Sequence, residues 1–103
     1  MNITIVCRED DNSKQVASHL KVKLEKHHVD FDDKNPQVVV FVGGDGTFLR
    51  AVNKYLDIIN DIRFIGVHTG SLGFFCDFAV EELDRVVELV LEDKPHQNRY
   101  RLL

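Results

Sequence analysis

Residues 43–47, Gly43-Gly44-Asp45-Gly46-Thr47, gather three of the chain's six glycines around one aspartate. A glycine-rich turn that opens a helix directs several backbone N–H groups toward one point, with the positive end of the helix dipole behind them, and that arrangement suits a phosphate. At Gly44 and Gly46 the missing Cβ lets a phosphate oxygen approach the backbone closely. Asp45 is the odd member, since a carboxylate beside phosphates repels them unless a cation intervenes or it has a chemical task. As a general base it would take the proton of an attacking hydroxyl while the glycine N–H groups hold the phosphoryl donor. As a structural residue it would cap the helix, a position that Asp suits. Thr47 divides in the same way between helix cap and phosphate ligand. Asp45-Gly46 also fits a hairpin turn, but the helical spacing that follows joins strand to helix instead. The loop lacks the Lys-Ser or Lys-Thr of a P-loop, and Leu49 stands where a dinucleotide fingerprint has its third glycine.

A second loop, "GVHTGSLGFF" at 66–75, holds the other three glycines. Loops at the ends of consecutive strands would line one edge of the same crevice. Of the adjacent Phe74 and Phe75, one could stack on a planar ring, or both could pack inside. His68 reads as a proton carrier or as an ordinary hydrogen-bonding loop residue. His27 and His28 are adjacent and point apart on a helix, which argues against a metal site.

The elements that must position these loops follow from periodicity. "ITIV" at 3–6 is a short β-branched strand, and "REDDNS" supplies turn residues and candidate N-caps. From Ser13, apolar Val16, Leu20 and Leu24 recur every four residues, predicting a helix that stops near His27 or His28. Residues 29–31 form a second short strand before the turn at "DDKNP". Residues 38–42 are five consecutive apolar residues, four of them Val, as in a strand buried on both faces of a parallel sheet. Phe48, Val52, Tyr55, Leu56 and Ile59 then share one helical face. "RFIGV" at 63–67 is the next strand. Leu83, Val86, Val87, Val90 and Leu91 mark a third helix ended by Lys94-Pro95, and "NRYRLL" begins a further apolar run. Alternating strands and helices predict a doubly wound, mostly parallel α/β sheet of Rossmann-like type, with three main helices distributed over both faces and right-handed crossovers.

The 103 residues suffice for one domain with its own core, and 44% hydrophobic with 29% charged residues is a globular composition. The net charge of −4 offers no global attraction to polyanions, so nucleic acid is not an expected partner. No stretch approaches the roughly 20 apolar residues of a membrane span, and no signal sequence is evident, which predicts a cytoplasmic protein. Cys7 and Cys76 fit neither a CxxC nor a metal spacing and are expected to be buried free thiols.

"GGDGTFLRA" at 43–51 resembles the glycine loop of the superfamily that joins NAD kinases, diacylglycerol and sphingosine kinases and, more distantly, phosphofructokinases. "GVHTGSLGFF" at 66–75 resembles the segment that NAD kinases carry after the next strand, where the lipid kinases have another pattern. With "NPQVVVFVGGDGT" ahead and "RYRLL" at the end, the likeness covers most of the chain and is strongest to NAD kinases of Gram-positive bacteria. It implies phosphoryl transfer from ATP, or in some members polyphosphate, to the 2′-hydroxyl of the adenosine ribose of NAD, with Mg²⁺ travelling on the donor phosphates. Asp45 matches the family's catalytic aspartate. Gly44, Gly46 and Thr47 match its donor-phosphate loop, and Leu49 and Phe74 match positions near the NAD adenosine.

The resemblance further implies that residues 1–103 are the N-terminal domain alone, without the β-rich second domain and its Asn-Glu motif. Family members assemble into homo-oligomers largely through that second domain, so this chain is expected to be monomeric or weakly associated and little active by itself. A non-catalytic nucleotide-binding module is the alternative, with Asp45 as a cap. A lipid or sugar kinase is disfavoured by the second loop and, for the lipid kinases, by the lack of a membrane-facing basic excess.

Overall fold

The computed structural model describes residues 1–70 and 78–92. Five strands form one sheet in the order β2-β1-β3-β4-β5, with every adjacent pair parallel. They are β1 (Asn2–Cys7), β2 (Asp30–Phe31), β3 (Val38–Gly43), β4 (Arg63–His68) and β5 (Phe78–Ala79). The connecting helices are α1 (Asp11–Glu25), α2 (Asp45–Lys54) and α3 (Leu83–Leu91).

The run of valines in β3 is divided by the pleat, as side chains on a strand alternate between faces. Val38, Val40 and Val42 join the core shared with α1 and α3, whereas Val39 and Phe41 join the core shared with α2. Both faces are therefore covered, which is why the strand shows no polar alternation. On the first face Leu20 and Leu24 of α1 and Val86 and Val90 of α3 are fully buried. On the second, Phe48 packs between Phe41 and Phe64, with ring centroids 5.1 and 6.0 Å away.

The sheet order places the change of direction between β1 and β3. The chain leaves β1 for β2 on one side, then crosses to build β3, β4 and β5 on the other. Outside the carboxyl ends of those two strands the flanking loops diverge and open a crevice, the usual ligand position in open parallel sheets.

Four details depart from the sequence reading. The first helix ends at Glu25 with Lys26 as its C-cap, so His27 and His28 stand in the turn after it and not on a helix. The helix after the glycine loop ends at Lys54 and gives way to a 3₁₀ segment, Leu56–Asp61. Tyr55 leaves helical geometry at φ −118° and ψ 27°, its ring is buried and its hydroxyl donates to Asp33 O at 2.6 Å. The helical face consequently stops there, and Leu56, expected inside, is 55% exposed. β5 was not expected, because no β-branched run marks Phe78-Ala79 off from the loop before it. Cys7 is a free thiol as expected but only partly buried at the margin of the first core. Cys76, the Lys94-Pro95 stop and the terminal apolar run lie outside the described residues.

Candidate functional site

The carboxyl end of β3 turns sharply into α2 at Gly43, the one described residue with positive φ, +155°. A Cβ there would collide with Thr47 Oγ1 and come within 3.0 Å of Arg8 Cβ, so the close passage of these segments requires glycine. Gly44 then occupies the N-cap of α2 and, having no side chain, leaves the helix start uncapped by any side-chain oxygen. Asp45 and Gly46 follow as the first two helical residues, whose N–H groups lie in the turn that a helix cannot satisfy internally. Thr47 N and Phe48 N both donate to Gly44 O at 3.1 Å.

This geometry removes two of the alternatives. The Asp45-Gly46 pair is the first turn of a helix and not a hairpin. Neither Asp45 nor Thr47 occupies the cap position. Thr47 is buried at 5% exposure, while its side chain lies against Gly43 and still contributes to the wall of the cleft.

That cleft, about 400 Å³ and open to solvent, is lined by Arg8, Gly44, Asp45, Gly46, Thr47 and Arg50. Four of these are the expected loop residues; the two arginines were not anticipated. Arg8 follows β1 directly, and its N–H donates to Val42 O at 2.9 Å, extending the β1–β3 ladder by one bond. Arg50 lies one helical turn beyond Gly46 and its guanidinium donates to Cys7 O at the end of β1. Two arginines and the N-terminus of α2 thus line the cleft with one carboxylate among the described residues, a locally cationic lining in a chain of net charge −4. The only signal for them in the sequence was position, one directly after a predicted strand and the other four residues after a loop glycine.

A hydrogen-bonded chain fixes the neighbouring loops. Arg8 Nε donates to Asp10 Oδ1 at 2.6 Å, and Asp10 Oδ2 accepts from Ser13 N at 3.0 Å as the N-cap of α1. These donors hold the Asp10 carboxyl well below the usual carboxylate range, the Arg8 bond contributing most. Ser13 Oγ and Thr69 Oγ1 share a 2.6 Å hydrogen bond, and Asn12 Nδ2 donates to Thr69 O at 3.3 Å. Thr69 N in turn donates to Gly43 O at 3.1 Å. The loop after β4 therefore meets the end of β3, as the two glycine stretches suggested, and α1 is tied to it through Thr69.

Leu49 is 53% exposed on α2 and does not line this cleft. His68 ends β4 opposite Gly43 and is half-buried. Phe74 and Phe75 lie outside the described residues. Among the described residues no group of His, Cys, Asp and Glu could hold a metal ion, and no helix is long and apolar enough to cross a membrane.

Fold and site together define a parallel α/β domain with a glycine-rich strand-to-helix loop at its topological switch point. The sequence pattern of the ATP-NAD kinase N-terminal domain matches residues 3–95, and the chain belongs to that family. It is 43% identical over 103 residues to an NAD kinase of Leuconostoc mesenteroides, and 44% identical over 103 residues to one of Latilactobacillus sakei. These alignments cover all of this chain but only 39% and 38% of those relatives. Among solved structures, yeast NADH kinase complexed with NADH superposes with a TM-score of 0.70 at 15% identity, over 87% of this chain and 37% of that one. At that identity the likeness concerns the fold.

Proposed function

We propose that this chain supplies the phosphate loop and the catalytic base of an enzyme that phosphorylates the 2′-hydroxyl of the adenosine ribose of NAD with ATP, giving NADP. The observation that carries the reading is the place of Asp45, a carboxylate at the start of α2 in a cleft otherwise lined by glycine backbone, a hydroxyl and two guanidinium groups. Membership of the ATP-NAD kinase family supports the choice of NAD.

Asp45 accepts the proton of the ribose hydroxyl as its oxygen bonds to the terminal phosphorus of ATP, and the bond from that phosphorus to the bridging oxygen breaks to release ADP. The N–H groups around Gly44 and Gly46 hold the phosphate oxygens of the donor, with Thr47 at the wall. Leu49, exposed one turn from Asp45, offers an apolar face to the adenosine; the same role is proposed for Phe74. Mg²⁺ would neutralise charge developing on the transferred phosphoryl group. Among the described residues the cleft presents Asp45 as its one lining carboxylate, a donor set that fits an ion carried mainly by phosphate oxygens. A reaction fed by ATP and NAD is assigned to the cytoplasm.

The chain spans about two-fifths of the length of its relatives, and phosphoryl transfer depends on positioning both substrates. The test joins residues 1–103 to the remaining portion of the Leuconostoc mesenteroides relative and follows NADP formation from NAD, ATP and Mg²⁺. The expected result is turnover that falls by about 100-fold or more in Asp45→Asn. An Asp45→Asn chimera as fast as its parent overturns the role of the base.

A further inference from the structure

Arg8 has a geometry that the glycine loop does not account for. Its backbone directly follows β1, yet its guanidinium lies near Gly44 after β3 and Gly70 after β4. Nη1 is 3.9 Å from the position a Cβ would take on Gly44, and Nη2 and Nη1 are 3.6 and 3.7 Å from that on Gly70. An arginine has five N–H donors in a rigid fork. The Nε donor is taken by Asp10 at 2.6 Å, which fixes the plane of the fork. Among the described residues the Nη groups make only one long contact, from Nη2 to Thr69 Oγ1 at 3.5 Å. The side chain is held at one edge and presents its other donors to the cleft.

The charge balance gives this arrangement a direction. Asp10 accepts from Arg8 with one oxygen and from Ser13 N with the other, so both its oxygens are occupied. It therefore orients Arg8 without closing the Nη edge. Arg50, which also lines the cleft, has a donor committed to Cys7 O and serves as part of the wall. A forked cation with its Nη edge directed toward two glycine loops matches the paired oxygens of a phosphate chain.

We propose that Arg8 is a phosphate-binding residue of the cleft, bridging the glycine loops after β3 and β4 on the phosphate chain of the donor, with Asp10 as the residue that positions it. The assignment rests on the phosphate-transfer reading above and adds a ligand to it that comes from β1. The ligand class is a linear oligophosphate, since the fork and the glycine loop sit side by side and can hold different phosphate groups of one chain.

The test is calorimetric binding of inorganic tripolyphosphate to the 103-residue chain at low ionic strength, where charged contacts are least screened. Arg8→Ala should weaken binding about tenfold or more, and Arg8→Lys should restore part of it, since charge is kept but the fork is lost. Asp10→Asn, which retains a capping side chain for α1, should weaken binding by a smaller factor and should cause no further loss in the Arg8→Ala background. A role of Asp10 in α1 alone would lower thermal stability and leave tripolyphosphate affinity unchanged. Gly46→Val, which fills the mouth of the loop, is the control for the glycine site. If Arg8→Ala binds within twofold of the parent while Gly46→Val does not bind, the assignment to Arg8 is overturned and the phosphate loop stands. If the parent chain itself does not bind tripolyphosphate, both fall.

Discussion

Ser13 Oγ and Thr69 Oγ1 stand 2.6 Å apart, joining the first turn of α1 to the loop after β4 across 56 positions of sequence. Ser13 is fully buried, while Thr69 is half-buried. The pair holds the β1–α1 loop, and with it Arg8, against the segment that Gly43 also touches. The two hydroxyls are not equivalent. Thr69→Val leaves Ser13 Oγ buried without this partner and should cost roughly 1–3 kcal/mol, whereas Ser13→Ala leaves a Thr69 hydroxyl that water can reach and should cost less. Urea denaturation of both variants reads the asymmetry.

The Asp10 carboxyl, depressed by Arg8 and by the Ser13 N–H, makes stability depend on acid. A carboxyl whose folded pKa lies below its unfolded value, about 3.9, contributes stability that is present above that value and lost as pH falls through the folded pKa. The contribution should begin to fade below about pH 4 and continue downward. Asp10→Asn removes the dependence and keeps a capping side chain, so its denaturation midpoint should change less steeply with pH over that interval than that of the parent.

Glycines in the loop serve different ends. Gly43→Ala forces a side chain into positive φ and against Thr47 and Arg8, and should destabilise by roughly 1–3 kcal/mol. A Cβ on Gly46 meets no atom of the chain within 4 Å, and the position is helical, so Gly46→Ala should fold at least as well as the parent. Any loss it causes should appear in phosphate affinity. Thermal melts and tripolyphosphate titration of the two variants separate these effects.

Phe48 carries the attachment of α2 to the sheet. It is fully buried between Phe41 and Phe64, and Phe48→Ala should cost roughly 3–5 kcal/mol in urea denaturation. Leu56→Ser, on a side chain 55% exposed, should change stability by less than about 0.5 kcal/mol. The contrast checks that the apolar helical face ends at Tyr55.

Much of the frame was legible because it is local. A run such as residues 38–42 can be a strand buried on both faces, and Val16, Leu20 and Leu24 have a spacing that only a helix brings to one side. The loop at 43–47 was recognisable for a similar reason, since closely spaced glycines between a strand and a helix have few other uses. The helix from Phe48 was overextended because its apolar spacing continues past Tyr55, and the event that ends it is a hydrogen bond to Asp33 from a distant turn. β5 left no pattern to read.

The composition of the loop and the identity of Asp45 as its single carboxylate were properties of the sequence alone, since they depend on neighbours along the chain. What surrounds Asp45 was decided only by tertiary structure. Arg8 lies 37 positions before it and meets the glycine loop because β1 pairs with β3, and similar β-branched runs carry no label for which neighbour they choose. Strand order is set by how helices of particular lengths cover both faces of the sheet at once, so the cationic cleft, unlike the loop within it, exists only when the whole sheet has formed.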